Sequence, residues 1–243
     1  MSGWKARIGF ISPSVFEMPS DWNLILPSDF TLVATGLNVR AHTPEEFEKA
    51  IEALESALSV FVSEEVDVVL LGGITLGTQR GYREECEIVS SLSKRVGLPI
   101  TTALNANVEA LKHLRAKRIV VATAYQERIN RALQDYIEAA GLEVAGIRGL
   151  GVSKPVDQVK LPEHASSKVA LSVFRENPKA DTLLIHGRWP SVADIERLER
   201  DTGRPVVSSN AASLWWVLQT LGLKVPIEGY GRLLRQETAP DSA

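Results

Sequence analysis

Apolar runs bounded by turn residues alternate with longer amphipathic stretches along the whole chain, a pattern met by a parallel sheet with helices on both faces. The fold class expected is α/β. Candidate strands are Arg7 to Ile11, Thr31 to Thr35, Val66 to Gly72, Pro99 to Thr102, Arg118 to Thr123, Glu143 to Ile147, Thr182 to His186 and Pro205 to Ser208. The third is continuously apolar after Asp67, as a central strand buried on both faces requires. Two helix starts are legible: Thr43 with Pro44 and Glu46 reads as a capping box with proline in the first turn, and Ser191 with Asp194 offers a similar start.

Within that pattern the chain echoes itself. Gly97-Leu98-Pro99-Ile100-Thr101-Thr102, followed by a helix from about Asn105, resembles Gly203-Arg204-Pro205-Val206-Val207-Ser208, followed by a helix from about Asn210. The Arg7 strand pairs in the same way with the Arg118 strand, and the strand end Leu70-Leu71-Gly72 with Leu184-Ile185-His186. Two copies of one α/β unit are the simplest account, the alternative being that any two strand–helix units look alike. The expected halves are 1–115, completed by the C-terminal segment 211–236, and 116–210, with 237–243 as a disordered tail. Ligands of parallel sheets bind beyond the carboxyl ends of the strands, so two facing copies would share one cleft between the halves. The loops that would line it are Ser12-Pro13-Ser14, Gly72-Gly73-Ile74-Thr75, Thr123-Ala124-Tyr125 and His186-Gly187-Arg188-Trp189.

With 243 residues and 44% hydrophobic content the chain can bury a core without a metal or disulfide staple. A formal net charge of −3, with both signs mixed along the sequence, gives no reason to expect nucleic acid or an anionic membrane as partner, which leaves a small molecule. Cys86 is the only cysteine, excluding an intramolecular disulfide and a cysteine metal cage and fitting a reducing cytoplasm. The segment Met1 to Arg7 is short and polar, and the longest apolar runs stop short of a membrane span, so a cytoplasmic location is expected. The apolar last helix, Leu214 to Leu221, could serve an isologous dimer.

Several residues could carry chemistry. The turn from Gly72 to Thr75 can present amides, and Thr75 a hydroxyl, to a carboxylate or enolate oxygen, or the glycines can simply make a tight turn. It lacks the lysine of a phosphate-binding loop and the spacing of a dinucleotide fingerprint, which argues against nucleotides. Tyr125 can donate to a developing oxyanion or cap a core edge. His186 ends an apolar strand and is followed by Gly187, which leaves room for a ligand; a structural histidine is the alternative. Asn210 can read a substrate carboxylate or cap the next helix, and Arg80 and Arg188 can pair an anion or be solvated. Trp215 and Trp216 read as packing. Cys86 sits in the run Arg83-Glu84-Glu85-Cys86-Glu87, whose carboxylates oppose a thiolate.

At these residues the sequence resembles the maleate cis-trans isomerase and arylmalonate decarboxylase branch of the aspartate/glutamate racemase superfamily, nearly end to end. The most specific stretches are Gly73-Ile74-Thr75 through Arg80-Gly81, Ala122-Thr123-Ala124-Tyr125, Pro205 to Asn210 with its helix, and Gly229-Tyr230-Gly231-Arg232-Leu233. The resemblance implies two pseudo-symmetric α/β halves, no cofactor and no metal, a small carboxylic acid as substrate, and a carbanion or enediolate held in an oxyanion pocket. It maps Thr75 and Tyr125 to oxyanion-binding positions. Racemases and isomerases of this type use two cysteines, one per half, and the decarboxylases keep the one in the second half. Those positions fall at about Gly73 and at His186, and neither is a thiol.

A two-base racemase needs groups on opposite faces of the substrate, and a maleate-type isomerase needs a nucleophile. Decarboxylation needs only donors for the enediolate and one acid for the carbon. The expected arrangement has Thr75, Tyr125 and amides near Gly73, Ile74 and Gly187 holding the oxyanion, with Ser12, Pro13, Ser14 and Asn210 on the substrate and His186 giving the proton. The alternatives are an isomerase, racemase or hydrolase in which His186 replaces the family cysteine, and a non-catalytic dicarboxylate-binding protein.

Overall fold

A computed structural model describes residues 5–13, 20–38 and 44–236. Among them β1 (Ala6–Ser12), β2 (Phe30–Gly36), β3 (Val68–Leu71) and β4 (Ile100–Thr102) form one sheet in the order β2-β1-β3-β4. A second sheet of β5 (Arg118–Thr123), β6 (Glu143–Gly149), β7 (Thr182–His186) and β8 (Val206–Ser208) has the matching order β6-β5-β7-β8. Every pairing is parallel. The α/β class and the two similar halves are as the sequence indicates, and each candidate strand is present. β3 starts at Val68 rather than Val66 because Asp67 turns its carboxylate back to accept from the Arg7 backbone N–H at 2.7 Å.

The helices are α1 (Trp22–Ile25), α2 (Pro44–Ser63), α3 (Thr75–Val96), α4 (Ala103–His113), α5 (Glu127–Ala139), α6 (Pro155–Gln158), α7 (Ala165–Glu176), α8 (Ile195–Thr202) and α9 (Ser209–Thr220). The repeat extends to their ends. α3 and α8 both stop at a left-handed glycine, Gly97 and Gly203. Thr102 caps α4 by accepting from Asn105 N at 3.0 Å, and Ser208 caps α9 by accepting from Ala211 N at 3.2 Å. Leu71 lies opposite Thr102 and Ile185 opposite Ser208, so Gly72 and His186 hold equivalent places at the ends of β3 and β7.

The main core runs through both sheets, joining Ile8, Val68 and Leu70 to Val121 and Leu184 through α4 and α9, which pack on each other. A smaller core of Leu58, Phe61, Val69 and Val89 lies between α2, α3 and the first sheet. The α4–α9 contact lays the last helix against the first half while the same helix also packs on β7 and β8 of the second. It also corrects the use of the last helix for a dimer: Leu214, Val217 and Leu218 are fully buried within the chain, leaving that helix no free apolar stripe. Ser191 is not a helix cap either. Asp194 precedes α8, and the Ser191 hydroxyl donates instead to Asp21. Thr43 of the expected capping box, Ser14 and the tail 237–243 lie outside the described residues.

Candidate active site

The carboxyl ends of the two sheets face one pocket. Ser12 and Pro13 come from the end of β1, Gly72 and Gly73 from β3, Tyr125 from β5, and His186, Gly187 and Arg188 from β7. The first residues of α4 and α9, Ala103 with Ser209 and Asn210, complete the polar rim, so the positive ends of two helices point at whatever binds there. Phe10, Trp22, Val159 and Trp189 supply apolar walls. Gly73 has φ +78, and a Cβ there would come within 2.8 Å of Pro13 Cγ, so a side chain at this turn under the pocket is strained and crowds Pro13. Ile74 is not among the lining residues, and the Thr75 side chain lies outside the described structure.

His186 is 2% exposed. Burial drives its imidazole down from 6.5 to about 4, so the ring is neutral near pH 7. Its Nδ1 lies 2.7 Å from Nδ2 of Asn107 on α4, a bond that joins the two halves. Tyr125, its ring centroid 5.9 Å from that of His186, is held above its ordinary phenol range by burial, with Arg188 pulling the other way. It therefore stays protonated and able to donate.

Two buried carboxylates lie outside the pocket lining, Glu85 in the separate depression that holds Cys86. Asp21, 2% exposed and preceding α1, accepts from the Ser191 amide and hydroxyl and from Asn210 Nδ2 at 2.8 Å. Asn210 thus lines the pocket with its amide nitrogen already engaged, and Ser208 makes the helix cap. Glu85 of α3 accepts from the Tyr136 hydroxyl and from Thr102 Oγ1 at 3.1 Å, and burial raises it from 4.5 to about 7. Arg80 pairs with Glu84 at 3.1 Å and does not line the pocket. Cys86 is half-buried in a separate depression with Ser90, Ser93 and Asn105. Its thiol is pushed up, first by burial and then by Glu85.

Residues 8–234 match the family model described as arylmalonate decarboxylase. This chain belongs to the arylmalonate decarboxylase family. Among curated relatives, arylmalonate decarboxylase of Bordetella bronchiseptica is 28% identical, covering 92% of this chain and 93% of its own length. Maleate isomerase of Nocardia farcinica is 26% identical, covering 96% and 97%. A crystal structure of arylmalonate decarboxylase superposes with a TM-score of 0.85 at 26% identity, over 95% of this chain and 100% of that one. The Nocardia maleate cis-trans isomerase, solved with a covalently bound succinylcysteine intermediate, gives 0.83 at 25% identity, over 96% and 99%. Members of the arylmalonate decarboxylase family thus include both kinds of enzyme.

In this member of the arylmalonate decarboxylase family the structure brings Ser12, Pro13, Gly73, Tyr125, His186, Gly187 and Asn210 to one pocket, as the sequence suggests. Sequence reasoning missed Asn107 and Asp21. Asn107 carried a signal: with Leu104, Val108 and Leu111 it falls on the buried face of α4, where an amide is out of pattern. Asp21 carried none, because its partners are 170 and 189 residues away. Among the described residues no group of His, Cys, Asp or Glu could hold a metal ion, and no helix is long and apolar enough to cross a membrane.

Proposed function

We propose that this chain decarboxylates a malonate-type dicarboxylic acid without a cofactor, through an enediolate protonated on carbon by His186. The observation that carries the proposal is the asymmetry of the two equivalent strand ends: an imidazole closes β7, where β3 ends in Gly72 and Gly73. The described lining has one imidazole, at the strand end, to give a proton to carbon and no thiol to add to a double bond. Its helix N-termini suit a dianionic substrate. The relative with a succinylcysteine intermediate needs a cysteine in its site, and the single cysteine here, Cys86, lies in another depression.

In the proposed reaction the bond from carbon to one carboxylate breaks and carbon dioxide leaves. The electron pair passes to the remaining carboxylate as an enediolate, whose oxygens accept from the Tyr125 hydroxyl and from amides of the Gly73 turn. His186 then transfers its ring N–H proton to the carbon. A neutral imidazole suffices, because an enediolate carbon is far more basic than imidazolate; water returns the proton to the ring. Here the resemblance adds a Thr75 hydroxyl to the oxyanion donors.

Proton NMR of the protein in deuterated buffer with substituted malonates, maleate and 2-substituted dicarboxylic acids tests the reaction. Loss of one carboxylate with one deuterium gained at the same carbon is expected. Isomerisation of maleate, incorporation of solvent oxygen, or tight binding with no turnover would each overturn it.

A further inference from the structure

Asn107 sits on the face of α4 that packs into the core, between Leu104, Val108 and Leu111, and is 2% exposed. Its Nδ2 makes the 2.7 Å bond to His186 Nδ1, while its Oδ1 is buried with no hydrogen-bond partner among the described residues. A leucine there would continue the apolar face and leave no acceptor unsatisfied. The amide thus weakens the core, and its one polar contact is the ring.

We infer that Asn107 is the positioning residue that makes His186 an acid, donating its amide N–H to Nδ1 and holding the ring proton on Nε2, the nitrogen left to the pocket. This rests on His186 as the proton donor of the proposed decarboxylation. A nitrogen that accepts from an amide cannot itself carry a proton, so Nδ1 is kept as a lone pair and the neutral ring is confined to one tautomer. The same bond stabilises the imidazolate left when Nε2 gives up its proton. An aspartate in this place would act in the opposite sense, drawing the proton to Nδ1 and presenting a basic lone pair to substrate, as in histidine bases. The titratable or charged residues lining the pocket beside His186 are Tyr125 and Arg188. Neither supplies a carboxylate that would favour imidazolium.

Nitrogen-15 NMR of protein labelled at histidine tests the assignment without any substrate, with His186→Gln identifying the signal. The wild type is expected to show the Nε2–H tautomer from pH 8 down to about pH 5, and Asn107→Asp to show Nδ1–H with its titration moved toward neutral pH. Asn107→Leu, which keeps the branching at Cγ but removes both polar atoms, should mix the tautomers and lower kcat at least tenfold with KM within twofold. An Nδ1–H ring in the wild type, a tautomer unmoved in both variants, or undiminished kcat in Asn107→Leu would each overturn the role. If no malonate is turned over, the tautomer arm still decides what Asn107 does to the ring, and only the decarboxylase proposal fails.

Discussion

Asp21 and Ser191, 170 residues apart, are joined by two hydrogen bonds to one carboxylate oxygen, at 2.5 Å from the Ser191 hydroxyl and 3.1 Å from its amide. Asp21 stands between Ser20 and Trp22, and Ser191 follows the turn that carries Arg188 and Trp189, so the clasp ties pocket walls from opposite halves. Asn210 donates to the same oxygen and extends it to the start of α9.

Replacing that carboxylate strands the donors. Asp21→Ala leaves the buried Ser191 amide and hydroxyl and the Asn210 amide unpaired, which should destabilise the protein by about 2–4 kcal/mol. Urea unfolding reads the loss, and a change under about 0.5 kcal/mol would show that the clasp is not needed. KM should rise as well, since the walls it joins hold the substrate.

Tyr125→Phe removes a hydroxyl and little volume. If that hydroxyl stabilises the enediolate, kcat should fall by about 100- to 1000-fold with KM nearly unchanged, the behaviour of a lost oxyanion donor. A loss confined to KM would place the phenol on the ground-state substrate instead.

The strands and the repeat were legible because each strand is a short apolar run with turn residues at its ends, and because the capped ends at Thr102 and Ser208 recur in sequence as well as in space. His186 and Gly73 stood out for a related reason: the first ends a strand and the second sits just beyond one. α1 and α6 are four residues long, too short for a periodic signal, yet Trp22 of the first lines the pocket and Gln158 of the second accepts from Arg188 N. Ser191 followed the sequence rule for a cap and was drawn elsewhere by Asp21, a partner that only the tertiary fold supplies.

Gly73→Ala must place a Cβ at φ +78 and against Pro13. The left-handed backbone alone should destabilise the fold by about 1–2 kcal/mol. The methyl also narrows the pocket, so KM should rise for bulky malonates more than for small ones. Equal stability by thermal unfolding would contradict the strained turn.

The pH dependence of His186 follows from its value of about 4. If the neutral ring is the acid, kcat/KM should climb as pH rises through 4 and stay level from about pH 5 to 8 with respect to this group. An imidazolium acid would give the reverse, a steady fall above pH 4. Stability carries the same sign. Between pH 6.5 and 4 the unfolded chain binds a proton at this histidine that the folded chain refuses, so folding weakens as pH falls through that window, by up to roughly 3 kcal/mol. His186→Gln should remove that slope from urea unfolding.

Glu85 predicts the opposite slope. Its folded value of about 7 lies above the unfolded 4.5, so the folded state holds a proton that the unfolded state releases, and stability falls as pH rises from 4.5 through 7. Above pH 7 the charge is buried against the Tyr136 hydroxyl and Thr102, and Gly77 crowds it, because a Cβ there would meet Glu85 Oε1 at 2.8 Å. Glu85→Gln keeps the shape and cannot ionise. It should therefore match the wild type near pH 4.5 and exceed it at pH 8 by on the order of 2–3 kcal/mol. Because Thr102 caps α4 and precedes Ala103 in the pocket wall, ionising Glu85 disturbs the site as well as the fold. Urea midpoints of the two proteins at pH 5 and pH 8 check this, and equal midpoints at pH 8 would mean that Glu85 ionises without penalty.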